Sequence, residues 1–146
     1  KTIPSLAFPG RFNYLKKGKI KKMLHKNELI MIDGAHSPAD ALNLYNYLKS
    51  IKLPKYGIWS MTKNKEPDLF IKELKDVFQK IVTMPIENEN GSESADKLNR
   101  IAFKNKIVSE TAYNLKDALK KISSSEKKLI VAFGSLYAAG SILKKN

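Results

Sequence analysis

The chain has 146 residues, 42% of them apolar, which fits one domain with a substantial core and excludes disorder throughout. It has no cysteine, so neither a disulfide framework nor a Cys-based metal site is available, and no apolar stretch approaches the ~20 residues that a membrane span needs. The net charge of +13 comes from 25 lysines and only two arginines, Arg11 and Arg100; arginine's planar fork suits phosphates and base edges, so this balance points to a solvated lysine-rich surface rather than a nucleic-acid site.

In chain order, Phe8–Leu15 predicts a short strand after the Pro9-Gly10 break. Gly18 and the lysines at 16, 17, 19, 21, 22 and 26 predict a turn and a basic excursion. Glu28–Ile32 is apolar enough for a buried strand. Ser37–Ile51 predicts a helix, with Ala41, Leu44, Tyr45 and Leu48 on one face. Ser37 suits the N-cap, Pro38 the first helical position, and Asp40 the positive helix start. Tyr56–Met61 predicts a second buried strand with the only tryptophan, Trp59. Pro67 opens a helix through about Phe78, and Lys80–Met84 predicts a third strand, closed by Pro85. Glu87–Ser94 is a polar loop, and Ser94–Asn105 a helix with Leu98, Ile101 and Ala102 facing in. Lys106–Val108 predicts a short strand, Leu115–Ile122 a helix capped by Asn114, and Lys128–Phe133 the last strand. Gly134-Ser135 then turns into a helix over Leu136–Leu143.

Strands separated by helices favour parallel crossovers. The expected fold is α/β: a Rossmann-like three-layer sandwich whose mostly parallel sheet of about six strands carries helices on both faces. No linker divides the chain, so residues 1–146 are expected to form a single domain.

Four segments carry candidate chemistry. The first is Asp33-Gly34-Ala35-His36-Ser37-Pro38, at the C-terminal end of an apolar strand, where ligands sit in open α/β sheets. Asp33 could accept ribose hydroxyls there, Gly34 could let a ligand approach the backbone, and His36 could meet an anion at the helix start. The alternative is a tight turn, with Asp33 bonding local amides and His36 a carbonyl. The second is Pro9-Gly10-Arg11, which could aim a guanidinium at a phosphate or form a surface salt bridge. The third is Lys63-Asn64-Lys65-Glu66, an ordinary βα loop unless a lysine meets a phosphate or carboxylate. The fourth is Gly134-Ser135-Leu136-Tyr137, which offers amides and a hydroxyl to an anion, or a plain helix cap. The chain has no phosphate loop, no G-x-G-x-x-G, no H-E-x-x-H and no cluster of metal ligands, so no metal site is expected in it. A self-sufficient nucleotide-hydrolysing enzyme would need a phosphate cradle.

Phe8-Pro9-Gly10-Arg11, Asp33-Gly34-Ala35-His36-Ser37-Pro38, the Lys65 loop and Gly134-Ser135-Leu136-Tyr137 occur in an order and spacing that resembles the C-terminal domain of folylpolyglutamate synthase/dihydrofolate synthase, in the Mur ligase superfamily. The resemblance covers essentially the whole chain. It implies an ATP-dependent, ADP-forming acid–amino-acid ligase that adds L-glutamate to dihydropteroate or folate through an acyl phosphate. It implies that the ATP-binding catalytic N-terminal domain, with its phosphate loop and Mg²⁺ ligands, lies outside this chain, which alone would be inactive. That domain, ATP, glutamate and dihydropteroate or folate are the implied partners. By matching positions, Arg11 would contact the nucleotide phosphates and Asp33 its ribose or the linker between domains. His36 and Ser135 would help bind glutamate, and Gly34, Ser37 and Lys65 would line the same cleft. The expected protein is a cytoplasmic monomer, with neither membrane nor nucleic acid among its partners.

Two positions depart from the family pattern: Ser37 stands where asparagine is usual, and Asn64-Lys65-Glu66 where Asp-Lys-Asp is usual. Two other readings remain. One is a peptidoglycan-precursor Mur ligase, whose block usually reads Asp-Tyr-Ala-His, so that Gly34 argues against it. The other is a non-enzymatic, lysine-rich α/β module that binds nucleic acid.

Overall fold

The computed structural model of the protein describes residues 12–146. Arg11 and the first half of the strand expected over Phe8–Leu15 lie outside the described residues. The elements are β1 (Asn13–Tyr14), α1 (Lys19–Lys22), β2 (Glu28–Ile32), α2 (Pro38–Leu48), β3 (Lys55–Trp59), α3 (Pro67–Lys72), β4 (Lys80–Thr83), α4 (Ala95–Lys104), β5 (Ser109–Thr111), α5 (Leu115–Ile122), β6 (Lys128–Phe133) and α6 (Leu136–Lys145).

Among the described residues the strands form one six-stranded sheet in the order β1-β2-β6-β3-β4-β5. Of these strands only β1 is antiparallel to its neighbour; the other four pairings are parallel. This is the mostly parallel α/β sandwich expected from the sequence. Side chains of a strand point alternately to the two faces, and the two cores follow that alternation. Met31, Trp59, Ile81, Leu129, Val131 and Phe133 pack with the apolar faces of α2, α3 and α4. Ile30, Ile32, Ile58, Val82, Ile130 and Ala132 pack with Ile20 of α1 and with residues of α5 and α6. Each fully buried Val, Leu, Ile, Phe or Met side chain among them contributes about 1.5–3 kcal/mol.

Three elements differ from the expectation. The basic excursion after Leu15 contains α1, a single turn held by Ile20, which is buried, and by Asn146, whose Oδ1 accepts the Ile20 amide at 2.9 Å. The helix opened by Pro67 ends at Lys72; tighter turns follow, with the Leu74 amide donating to Ile71 O at 2.9 Å and the Val77 amide to Leu74 O at 3.2 Å. The strand expected over Lys106–Val108 starts at Ser109 instead. Lys106 takes φ 62 and the Ile107 amide returns to Ala102 O at 3.0 Å, so this stretch closes α4 rather than opening β5.

Candidate functional site

β6 enters the sheet between β2 and β3, and this sets the site. The helices after β2 and β3, namely α2 and α3, pack on one face; α6, after β6, packs on the other. A crevice opens where neighbouring strands send their helices to opposite faces. The β2–α2, β6–α6 and β3–α3 loops all leave from this edge. The Asp33 amide donates to Ala132 O at 2.8 Å and the Ser60 amide to Phe133 O at 3.2 Å, which carries the ladder one residue past the strand ends.

In the β2–α2 loop, Asp33 is fully buried. Its Oδ1 accepts the Ala35 amide at 2.8 Å, and its Oδ2 accepts the Phe12 amide at 2.9 Å. The carboxylate therefore shapes the turn and ties it to the backbone just before β1. A Cβ at Gly34 would lie 2.3 Å from Leu136 Cδ2, so any side chain there would displace the end of Leu136. What approaches its backbone in this structure is the first residue of α6. His36 follows, with its Nδ1 2.9 Å from Gly34 O. A carbonyl oxygen only accepts, so Nδ1 carries the proton, and Nε2 of the neutral ring is an acceptor.

Ser37 caps α2. Its Oγ accepts the Asp40 amide at 3.1 Å, while Asp40 Oδ2 accepts the amides of Ser37 at 3.3 Å and His36 at 3.2 Å. This reciprocal capping box holds the backbone on both sides of the histidine ring.

The β6–α6 loop turns at Gly134, which sits at φ +114 with the place of a Cβ only 2.0 Å from Ser60 O. Only glycine serves there. Ser135 is buried, and its Oγ accepts the amides of Tyr137 at 3.0 Å and Ala138 at 3.2 Å as the N-cap of α6. The hydroxyl hydrogen remains available for donation.

The β3–α3 loop is strapped from outside by the polar loop before α4. Glu93 donates its amide to Met61 O at 2.8 Å, Lys63 donates its amide to Gly91 O at 2.7 Å, and Thr62 bridges Ser92 in antiparallel fashion. Thr62 Oγ1 donates to Asn64 Oδ1 at 2.8 Å. Below these loops Trp59 is fully buried with its Nε1 unbonded, at a cost of about 1–3 kcal/mol.

The three loops enclose a cavity of about 400 Å³ lined by His36, Thr62, Lys65, Ser135, Leu136 and Tyr137. Of the expected site residues, His36, Lys65 and Ser135 meet there. Asp33 and Gly34 lie behind its wall, Ser37 stands one residue from it, and Arg11 is outside the described residues. Leu136 and Tyr137 come from the fourth candidate segment, and Thr62 is the one lining residue outside the four segments. Its signal in the sequence was position alone, within a few residues of a strand end at the same edge. The Lys65 ammonium and the Ser135 and Tyr137 hydroxyls can donate into it, and His36 Nε2 can do so when its ring is protonated, a set that suits anionic groups such as carboxylates and phosphates. It does not suit a divalent cation, and among the described residues no group of three His, Cys, Asp or Glu side chains could hold a metal. Among them, too, no helix is long and apolar enough to cross a membrane.

The fold is shared with solved folate ligases. A structure of Mycobacterium tuberculosis folylpolyglutamate synthase complexed with ADP superposes with a TM-score of 0.75 at 24% identity, over 93% of this chain and 32% of that one. Escherichia coli FolC in complex with ADP, without folate substrate, gives 0.74 at 17% identity over 94% and 31%. The Yersinia pestis bifunctional folylpolyglutamate synthase/dihydrofolate synthase, complexed with AMPPNP and Mn ion, gives 0.74 at 18% identity over 94% and 31%. The chain thus spans about a third of the length of these enzymes. No curated protein sequence matches it. The family model for the dihydrofolate synthetase C-terminal domain matches residues 16–145, nearly the whole described chain, and the chain belongs to that family.

Proposed function

We propose that this chain is the nucleotide- and glutamate-contacting part of an ATP-dependent folate ligase, acting with a separate phosphate-binding domain. The observation that carries this reading is the cavity at the strand-order reversal, where His36, Lys65 and Ser135 converge from three loops. Membership of the dihydrofolate synthetase C-terminal family favours a folate over a muramoyl peptide or a nucleic acid.

ATP supplies the phosphoryl group that activates the pterin-linked carboxylate and leaves as ADP. The residues of this chain bind and orient. Lys65 offers its ammonium to the carboxylates of the incoming glutamate and the Ser135 hydroxyl donates to one of them, while His36, whose Nδ1 proton is held by Gly34 O, donates through Nε2 only as the imidazolium. Arg11 reaches the nucleotide phosphates when the two domains close. Asp33 supports that reach from behind, by anchoring Phe12, the next residue in the chain. Divalent metal binding, probed in relatives by the Mn-containing Yersinia pestis structure, belongs to the partner domain in this reading.

Arg11→Ala and Asp33→Ala in the intact protein test this. Both should greatly reduce ATP-dependent ligation of glutamate to dihydropteroate or folate. Full activity in both would remove the site assignment, and turnover of muramoyl peptides instead of folates would replace the substrate class.

A further inference from the structure

Asn90-Gly91 is the one Asn-Gly pair in the chain, and it lies in the loop that straps the candidate site. Asn90 is exposed, in a turn. Gly91 has no side chain to screen its nitrogen. Beyond its chain neighbours, the only described atom within 4 Å of the place of a Cβ there is Glu89 Oε2, at 3.2 Å. The same oxygen accepts the Gly91 amide at 3.3 Å. An exposed carboxamide, an unscreened main-chain nitrogen and an acceptor for that nitrogen's proton thus stand together. Asp33-Gly34 has similar covalent neighbours and opposite surroundings: Asp33 is buried, and its carboxylate accepts two main-chain amides. The residues after Asn90 carry the strap. Gly91 O accepts the Lys63 amide at 2.7 Å, Ser92 bridges Thr62, and the Glu93 amide donates to Met61 O at 2.8 Å. The residues before it are tied to the same segment: Ser92 Oγ accepts the Ile86 amide at 2.8 Å, and the Ser92 amide donates to Glu89 O at 3.1 Å. These bonds close the turn on both sides of Asn90 and fix its length. Thr62 and Lys65, which line the cavity, belong to the strapped loop.

We propose that Asn90 is a site of spontaneous covalent modification that limits the working life of the candidate site. The Gly91 nitrogen attacks Asn90 Cγ, and its proton passes by way of the Glu89 carboxylate to the leaving amide. The Cγ–Nδ2 bond breaks, ammonia departs, and a five-membered succinimide remains. Water then opens the ring. Attack at Cγ gives aspartate; attack at the main-chain carbonyl gives isoaspartate. One water is taken up and one ammonia released, with no change of oxidation state. Both products add a carboxylate, and isoaspartate also lengthens the main chain by one carbon. The longer chain does not fit the bonds that close the turn. The Lys63–Gly91 bond is released, and the loop bearing Thr62 and Lys65 opens locally. The chemistry stands on the loop alone; its effect on catalysis rests on the folate-ligase reading above.

The test ages the intact protein in mildly alkaline buffer, with peptide mapping by mass spectrometry and labelling by an isoaspartyl methyltransferase. Asn90 should convert about tenfold or more faster than Asn27 and Asn88, both exposed and both followed by glutamate. Gly91→Ala sets a methyl against the flexible end of Glu89 and should slow conversion about tenfold. Asn90→Gln, at an exposed position, should fold as the parent and stay unconverted. Amide exchange at Lys63 should accelerate in the isoaspartate fraction while exchange at Ala35 stays as in fresh protein, and aged Asn90→Gln should show neither change. Glutamate ligation should fall in step with isoaspartate content. Equal conversion at Asn27 and Asn88, or a rate at Asn90 unmoved by Gly91→Ala, would overturn the modification site. Unchanged Lys63 protection in the isoaspartate fraction, or ligation that survives ageing in full, would overturn its effect on the candidate site. A fresh protein that ligates no folate would remove the functional reading alone, and mapping and exchange would still decide the modification.

Discussion

Glu28 and Lys128 face each other in register at the N-terminal ends of β2 and β6, with Nζ 2.9 Å from Oε2 and both side chains buried. Nothing about this pair is left half-satisfied. The carboxylate also accepts the Ser123 hydroxyl at 2.6 Å and the amides of Ser124 at 2.8 Å and His25 at 3.0 Å. The ammonium donates to Ser124 Oγ at 2.6 Å and lies 5.5 Å from the centre of the Tyr56 ring. A slip of one residue between β2 and β6 would break the contacts of Glu28 with Lys128, Ser123 and Ser124, so the pair specifies the register on which the site at the opposite edge depends.

Removing one partner should therefore cost more than the pair itself is worth. Lys128→Met leaves the Glu28 carboxylate buried and uncompensated, and should lower stability by about 3–5 kcal/mol in urea denaturation. Combining it with Glu28→Gln should recover part of the loss, since no buried charge then remains. A single-variant loss below about 1 kcal/mol would mean that water reaches this end of the sheet.

The same cluster sets an acid limit. Burial alone would raise the Glu28 carboxyl, but the hydrogen bonds from Ser123, Lys128, Ser124 and His25 outweigh it and hold the group at about 2, below its ordinary 4.5. The unfolded chain then binds this proton more readily than the folded one. The stabilisation is complete above 4.5 and is lost as the pH falls towards about 2. Urea midpoints should fall across that window, and Glu28→Gln should flatten the fall. An equally steep acid limb in Glu28→Gln would assign it to other carboxylates.

Much of the fold was legible because local signals and tertiary contacts agree. α5 and β6 lie where periodicity and the Asn114 cap put them, with Asn114 Oδ1 accepting the Asp117 amide at 2.9 Å. The misreadings have the opposite cause. One buried isoleucine among lysines is too weak a pattern to announce α1, and the backbone reversal at Lys106 leaves no glycine to mark it. The insertion of β6 between β2 and β3 is a long-range pairing, which local periodicity does not encode. Within the candidate site, residue types in the motif at Asp33 pointed to the sheet edge where the cavity opens. They did not distinguish side chains that line the cavity, such as His36, from those that build its wall, such as Asp33. That distinction depends on what packs behind the turn: Phe12, from 21 residues earlier, and Leu136, from the far end of the chain.

Three glycines separate close packing from open space. Gly134→Ala places a Cβ on Ser60 O in a positive-φ backbone, and should cost about 2 kcal/mol or more, or prevent folding. Gly34→Ala meets the movable end of Leu136, and should cost less while reshaping the cavity that Leu136 lines. Gly140, inside α6, has nothing within 4 Å of a Cβ. There alanine should stabilise by about 0.5–1 kcal/mol, because it restricts the unfolded chain and favours the helix. Thermal melts of the three variants should rank in that order, and destabilisation by Gly140→Ala would show that the helix face is covered.

Ser37 offers a way to separate capping from ligand contact at the position that departs from the family pattern. Its Oγ and the Asp40 carboxylate satisfy each other's main-chain amides, and the same carboxylate takes the His36 amide. Ser37→Ala removes the Oγ acceptor and should cost about 1 kcal/mol. Asparagine caps helices as well as serine, so Ser37→Asn should leave stability nearly unchanged. The longer amide would then reach one atom further toward the ligand side of His36. If the family asparagine acts through its side-chain amide, Ser37→Asn should lower KM for glutamate in the intact protein at constant stability. If it acts only as a cap, KM should follow stability across both variants, with Ser37→Asn indistinguishable from the parent and Ser37→Ala weakened in proportion to its lost helix start.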